Sequence, residues 1–348
     1  MTAPTLNGVV NGDQLAIWVR TVDGRPIGHI PCDRTTDVTW SRERNEVSRC
    51  EITTSDIDAG ALVPWLHWID IWEDGTPVWS GPVQEASTDL ATGSTRIEAR
   101  DVAAFLWYTR VPTTRQWQRL DPAPIAATLW QAMLELHRVD VDPTVLPPTD
   151  LVERFDFAVT ANSRMLNAVM DELVRIGLDW TVVSGRPILG TLDTAPVAQL
   201  QDCDFMTSLR RVRSGKRSTC DVRVQGKNWA HTETVDMAGL HLQALISLDN
   251  MSGVANITAA ARQYLREVGA LRDLLEVPPG ASLHPNAPLT TADLVPGSVF
   301  AVYAADMAAL MRLKSVEIAW TGTNRDVRVT VDTVTEPIEL DPGIGGIL

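Results

Sequence analysis

The sequence is poor in the residues that mark metal centres and disulfide frameworks. Its 348 residues include four cysteines, at positions 32, 50, 203 and 220, and no two of them form a Cys-x-x-Cys pair. This spacing excludes a common zinc motif and a dense set of disulfides, so we expect reduced, buried thiols. The six histidines are scattered, and His231 and His241 lie too far apart in sequence for usual ligand spacing. No metal site is predicted.

Recurrent catalytic motifs are also missing. There is no Gly-x-Ser-x-Gly elbow, His-Glu-x-x-His pair, Walker loop or EF-hand loop. Gly343-Ile-Gly-Gly346 is similar to part of a dinucleotide-binding loop, but no helix follows it to receive a phosphate. Adjacent acids such as Glu73 and Asp74 are expected in any chain with 44 of them. The sequence therefore predicts no catalytic residue, no cofactor and no enzyme.

Long apolar runs and a positive net charge are absent too. No run approaches the roughly 18 apolar residues of a membrane span, and the N-terminus lacks the basic and apolar regions of a signal peptide, so we expect neither. The formal net charge is −14. This balance argues against broad binding of phosphate, which needs clustered lysine and arginine. An acidic surface favours solubility, or repels DNA that passes beside it.

One basic cluster runs against the overall charge, Arg210-Arg-Val-Arg-Ser-Gly-Lys-Arg217. A surface for single-stranded nucleic acid would also need interleaved aromatic residues, which this run lacks. We expect it to form a turn between strands, either exposed or paired with an acidic neighbour.

The chain does have an ordinary apolar content and an unusual choice of aromatic residues. Apolar residues make up 45% of the sequence, and a length of 348 residues suggests two to four compact units. Twelve tryptophans accompany only three tyrosines and five phenylalanines. Large aromatic side chains serve both cores and interfaces, so this composition mildly favours assembly.

Residues 1–108 show β patterning throughout. The clearest signal is Trp68–Val83, in which bulky residues flank the turn Glu73-Asp74-Gly75-Thr76 and predict a hairpin. We expect its tryptophans in a core rather than on a carbohydrate platform. The other predicted strands are Leu15–Val22, Asp37–Trp40, Ser48–Thr54 and Thr95–Asp101. Such regular spacing is typical of a small antiparallel barrel or sandwich.

Residues 109–202 predict an α+β domain. A helix with Asp121 as its N-cap runs to Leu136, and a second helix is predicted from near Asn162 to Gly177. Trp180–Gly190 predicts a hairpin that closes this unit.

β patterning returns from residue 203. A third helix is predicted after the candidate cap Asn256, and Pro278-Pro279-Gly280 ends it. Residues 341–348 are glycine-rich and are expected to form a flexible tail or to bind a partner. The predicted strands are Leu209–Val212, Cys220–Gln225, Leu294–Tyr303, Leu313–Trp320 and Asp326–Asp332.

A faint internal repeat connects the two β regions. Ser48–Ile52 is similar to Ser218–Val222, and the pair of strands in 83–101 is similar to that in 316–332. The second copy is longer, because a helical segment lies inside it. The predicted fold is therefore mainly β with α+β insertions: a first small β-barrel in 1–108, a related barrel in 203–230 and 285–340, and a helical insertion in 231–284. Chance similarity between alternating strands is the alternative.

Several of these segments resemble the tail hub family of bacteriophages, which includes baseplate hubs of contractile tails, siphophage hubs and the spike hub of type VI secretion. Minor tail proteins of phages of actinobacteria are similar in three segments: Ile71-Trp-Glu-Asp-Gly-Thr-Pro-Val-Trp-Ser-Gly-Pro-Val83, Ile97-Glu-Ala-Arg-Asp101 and Phe105-Leu-Trp-Tyr108. Leu294-Val-Pro-Gly-Ser-Val-Phe300 is similar to the Pro-Gly-x-Val strand of the second hub barrel.

This resemblance implies a structural virion protein, a homotrimer whose two tube barrels per chain give a pseudo-sixfold ring. The ring would join the sixfold tail tube to the threefold tip and let DNA pass without specific binding. The implied partners are the distal tail protein, the tape measure protein and tip or fibre proteins. The implied location is the virion tail tip, after synthesis in the host bacterial cytoplasm.

Two alternatives stay open. One is the hexameric distal tail protein, with one tube barrel per chain; the other is a tail carbohydrate-binding or peptidoglycan-hydrolysing module. For the hub, we expect interface roles at the projecting hairpin tip and at the basic run, the latter facing acidic surface of the next subunit. These residues are Glu73, Asp74, Gly75 and Thr76, and Arg210, Arg211, Arg213, Lys216 and Arg217.

Overall fold

The computed structural model describes residues 15–32, 35–147, 154–192, 195–214, 218–248, 253–268, 272–305, 307–322 and 324–334. Within them the chain forms one twelve-stranded sheet, four small sheets and a few helices. The predicted class, mainly β with α+β units, is confirmed. The predicted tail, residues 341–348, lies outside the described residues.

Seven strands of the large sheet come from the N-terminal region: β1 (Leu15–Thr21), β2 (Pro26–Ile30), β3 (Asp37–Glu43), β4 (Arg49–Thr54), β5 (His67–Glu73), β6 (Thr76–Thr88) and β7 (Thr95–Arg100). They lie in the order β3-β4-β7-β6-β5-β1-β2. The predicted hairpin is β5–β6, and Asp74 and Gly75 form its turn with φ of 49° and 76°. Positive φ at both central residues is what an Asp-Gly hairpin turn requires.

β6 bends so that it serves two neighbours in turn. Its first half pairs with β5, its second half with β7, and a β-bulge lies between Val83 and Glu85. Gly81 lies before the bulge, and a Cβ there would meet the carbonyl oxygen of Arg100 at 1.9 Å. Only glycine permits this close approach of two backbones.

The next region is the predicted α+β unit. Asp121 caps α2, because its Oδ1 accepts a 2.8 Å hydrogen bond from Ala123 N. The second long helix begins later than predicted, because Asn162 has φ of 59° and Met165 is still extended. The elements are α1 (Phe105–Tyr108), β8 (Arg115–Leu120), α2 (Pro122–Leu136), β9 (Thr144–Val145), β10 (Phe155–Val159), α3 (Leu166–Arg175), β11 (Trp180–Val183) and β12 (Arg186–Leu189).

The remaining elements are β13 (Pro196–Gln201), β14 (Arg210–Ser214), β15 (Asp221–Gly226), β16 (Ala230–Thr234), β17 (Gln243–Leu248), α4 (Val254–Val268), β18 (Arg272–Glu276), β19 (Ala281–Ser282), β20 (Val299–Ala304), β21 (Met307–Thr321) and β22 (Asn324–Thr333). Asn256 lies inside α4 rather than before it, so its predicted role as cap is wrong. The strand predicted from Leu294 begins at Val299.

A separate sheet, β16-β15-β17, lies between β14 and β18 in sequence. α4 packs on it, and Val222 and Val224 of β15 share a buried core with Ile257 and Ala261 of α4. The insertion is therefore a small α/β unit. β15 belongs to this unit, because it pairs with β16 and β17, although the sequence analysis placed residues 203–230 in the second barrel. The division into domains otherwise stays a prediction.

The internal repeat is visible in the large sheet, but with a different alignment. The order β4-β7-β6-β5 in the first half corresponds to β19-β22-β21-β20 in the second, and all of these pairs are antiparallel. The next strand differs between the halves, since β1 is antiparallel to β5 whereas β13 is parallel to β20. β21, like β6, pairs first with the preceding strand and then with the following one, and it has a bulge between Leu313 and Ser315. The counterpart of β4 is β19. Ser218–Val222 leads into β15 of a separate sheet, so its sequence similarity to Ser48–Ile52 does not reflect an equivalent position in the large sheet.

The two halves form one continuous sheet because β3 pairs with β4 on one side and with β21 on the other. Their apolar side chains share one core, which includes Trp40, Ile52, Ile97, Val316 and Ile318. The α+β unit and the insertion share the other core. Cys50 and Cys220 are buried as expected, whereas Cys32 and Cys203 are exposed, so the expectation of burial is wrong for those two.

Asp101 ties the end of β7 to the start of β4. Its carboxylate accepts hydrogen bonds of 2.9 Å from Ser48 N and from Ala103 N, the latter in the 3₁₀ turn that follows. The side chain is almost fully buried, and burial raises the pKa of Asp101 to about 7, against the effect of these hydrogen bonds. A carboxyl that stays protonated when folded makes stability depend on pH.

We expect the free energy of unfolding to fall as pH rises between about 4 and 7, by up to about 1.4 kcal/mol per pH unit from Asp101 alone. In this window the folded carboxyl keeps the proton that the unfolded one has lost. Asp101→Asn cannot titrate, so urea unfolding of both proteins across a pH series isolates the effect. A stability difference that is constant from pH 4 to 8 would contradict the assignment.

Candidate assembly interface

The hairpin tip divides into a buried and an exposed part. Asp74, Gly75 and Thr76 are exposed, as a projecting tip requires. Glu73 is buried, and its Oε1 lies 2.8 Å from Arg325 Nε as an ion pair. Thr291 donates a short hydrogen bond to the other oxygen of Glu73. Glu73 thus bonds within its own chain, and the interface role of the hairpin tip stays a prediction.

Arg42 lies beside this ion pair and is itself buried, with 2% of its surface exposed. Its guanidinium donates to three backbone carbonyls: Val78 at 2.8 Å, Thr291 at 2.8 Å and Leu294 at 3.1 Å. Burial lowers the pKa of Arg42 to about 10, and the charge of Glu73 opposes that shift. Val78 belongs to β6, whereas Thr291 and Leu294 belong to the second half, so Arg42 connects the β5–β6 hairpin to that half.

The β3–β4 turn holds the α+β unit. Arg44 Nη2 lies 2.7 Å from Asp179 Oδ1, and Asn45 exchanges two 2.8 Å hydrogen bonds with the backbone of Trp180. Thr181 Oγ1 donates to the carbonyl of Glu43 at 2.8 Å. The α+β unit is therefore fixed against the sheet at the point where its two halves meet.

The structure describes only part of the basic run. Arg210 and Arg211 are exposed on β14, where Arg210 lies opposite Glu276 of β18. Arg213 belongs to the same strand and lies opposite Asp273. Lys216 and Arg217 lie outside the described residues. β14 and β18 form a two-stranded ribbon, so the run begins in a strand rather than in a turn.

Acidic side chains lie on the other half of the sheet. Glu51 of β4 and Glu85 of β6 are exposed, and Glu98 of β7 lies opposite both in register. Arg96 contacts Glu51 at 2.9 Å and Glu98 at 3.2 Å. Arg49 and Arg96 are exposed on the same strands, so this face carries charges of both signs, and Glu85 is its exposed acid nearest the end of β6.

The tryptophans of the hairpin are mostly core residues, as expected. Trp68 and Trp79 are buried, and Trp65 packs edge-on against Tyr108 with ring centroids 4.8 Å apart. Among the described residues, no group of three or more histidine, cysteine or carboxylate side chains could hold a metal ion. The helices of the same residues include none long and apolar enough to span a membrane.

Sequence reasoning missed Arg42 and Arg325. Each lies in an alternating strand, where an arginine is normally a solvent-facing residue. The one local signal was that Trp40-Ser-Arg42 puts Arg42 on the same face of β3 as a buried tryptophan, with the guanidinium 5.1 Å from the Trp40 ring.

Replacing Arg42 should cost far more than replacing a surface arginine of the same seam. Arg42→Met removes three hydrogen bonds to backbone carbonyls of buried residues, and we expect a loss of about 3 kcal/mol in the free energy of unfolding. Arg49→Met, the matched control, removes an ion pair to Glu317 from a side chain that is 63% exposed, and should cost below about 1 kcal/mol. Urea unfolding at neutral pH measures both. Equal losses would refute the clamping role of Arg42.

No protein-family model matches the sequence, and neither does any curated protein. Solved structures do match the fold. The 43 kDa tail protein of prophage MuSo2 from Shewanella oneidensis is 12% identical, with a TM-score of 0.59 over 91% of this chain and 97% of that one.

A tail protein from Neisseria meningitidis MC58 is 14% identical, with a TM-score of 0.59 over 90% of this chain and 96% of that one. The E. coli c3393 protein, a type VI secretion component described as structurally similar to phage tail proteins, is 11% identical, with a TM-score of 0.50 over 88% of this chain and 75% of that one. The chain thus has the fold of phage tail proteins, as its sequence resemblance implies.

Proposed function

We propose that this chain is a structural protein of a phage tail, a trimeric hub that joins the sixfold tail tube to a threefold tip. The observation that carries the proposal is the internal repeat. Two copies of one four-strand order lie side by side in a single chain, joined through β3 into one sheet. Three such chains would supply six similar units, which is what a ring facing a sixfold tube needs.

The same observation separates the hub from the distal tail protein. A hexameric ring needs one tube unit per chain, whereas this chain has two. The full-length similarity to tail proteins supports the same choice, since it extends over both halves. A hexamer of this chain would carry twelve units.

The proposed ring encloses part of the DNA channel. The net charge of −14 supports a channel wall that repels DNA and lets it slide. No specific nucleic-acid contact is proposed. The proposed neighbours are the distal tail protein, the tape measure protein and tip or fibre proteins, and the proposed location is the virion tail tip.

A carbohydrate-binding or peptidoglycan-hydrolysing role is disfavoured by the same residues that suggested it. Trp68 and Trp79 face the interior and cannot form a sugar platform. We propose that the protein is not an enzyme, and hydrolysis of purified cell wall would refute that.

Light scattering over a concentration series should give a mass of three chains for the purified protein. Three chains with two units each close a ring, so the mass should reach a plateau rather than rise further. A plateau at six chains would favour the distal tail ring instead. A protein that stays monomeric and binds glycans tightly would overturn the hub in favour of a binding module.

A further inference from the structure

The seam inside the chain shows how two of the repeated units join. β3 leaves the first unit and adds, antiparallel, to the second half of β21 in the second unit, from Ser315↔Glu43 to Thr321↔Asp37. An arginine–glutamate pair bridges this seam, because Arg49 Nη2 lies 2.9 Å from Glu317 Oε2. The edge of β21 that β3 covers is the one on the side of β20.

The corresponding edge in the first unit has no added strand. β6 is the counterpart of β21, and after its bulge it continues as residues 85–88. Among the described residues, β7 is the only strand that pairs with this part of β6. Glu85 is exposed there, and Ala86 is half-buried. An unpaired edge of this kind accepts a further strand readily.

The second unit has a counterpart of β3, but among the described residues this segment joins no second unit. β3 lies beside β4, and the matching position beside β19 belongs to residues 204–206: Phe205 pairs with Leu283, and Met206 N donates to the Ser282 carbonyl at 2.8 Å. This segment leads into β14, which pairs with β18. Within the part of the chain that the structure describes, β14 has no strand on its second edge.

We propose that β14 of one copy adds to residues 85–88 of β6 in a second copy, as β3 adds to β21 within the chain. The proposal rests on the proposed function and names the contact that closes the ring. The charges at the contact agree: β14 presents the exposed Arg210 and Arg211, and the receiving edge presents the exposed Glu85. Each chain would thus offer the second edge of β14 and the edge of β6 at residues 85–88, which makes the contact head-to-tail and able to close.

Cross-linking between chains tests the contact. In a background with the exposed Cys32 and Cys203 replaced by serine, Ser87→Cys, at an exposed position of β6, is combined with Arg211→Cys and treated with a short bis-maleimide. We expect covalent species of two and three chains on a denaturing gel. The matched control combines Arg25→Cys, exposed at the far end of the sheet beside β2, with Arg211→Cys, and should give single chains.

Charge reversal gives an independent readout by light scattering. Glu85→Arg should reduce the mass from three chains to one, and adding Arg211→Glu should restore it. A trimer that gives no cross-link and is unaffected by Glu85→Arg would overturn this contact and leave the hub intact. Cross-links in an assembly of another size would support the contact and overturn the trimer. A monomer without cross-links would overturn both.

Discussion

The buried guanidinium of Arg42 is the contact on which the joined sheet depends. A cation in a protein interior is tolerated only when its donors are matched, and here the acceptors come from both halves of the chain. Glu73 has the same requirement, since its partners Arg325 and Thr291 belong to the second half. Neither half satisfies its buried charges alone, so their folding is coupled.

That coupling suits a protein whose two halves must act as one piece. If the halves were separate domains on a linker, each could rotate, and the ring proposed above would not keep a constant register against a sixfold tube. The β3–β21 pairing and the Arg42 network remove that freedom, and the Asp179 contacts fix the α+β unit at the same junction. Rigidity here follows from backbone pairing backed by buried charge.

Local signals in the sequence predicted local structure well. The Asp74-Gly75 turn and the Asp121 cap each depend on neighbours within a few residues, and both are present as predicted. The alignment of the repeat failed for the opposite reason. β19 has only two residues, too few to show alternation, whereas β15 has the alternation of β4 but pairs elsewhere.

The contacts of Glu73 could not be predicted for a related reason. A carboxylate beside a hairpin turn is normally solvated, and its partner Arg325 lies in a strand of the other half, where no spacing rule connects them. The unpaired edge of β6 could not be predicted from the sequence either, because it depends on how all the strands of the sheet pair. The contacts of Glu73 and the edge of β6 both depend on segments that are distant in sequence, and a single sequence does not show which distant segments meet.

The insertion begins and ends at paired residues, Ser214 of β14 opposite Arg272 of β18. Antiparallel partners hold the two ends of the intervening segment about 5 Å apart. The entropic cost of closing such a loop grows only slowly with its length, so segments of very different size can occupy this place without disturbing the large sheet. A foreign domain spliced there, in place of residues 218–268, would have both of its termini anchored, and it would also have to cover the core that the insertion shares with the α+β unit.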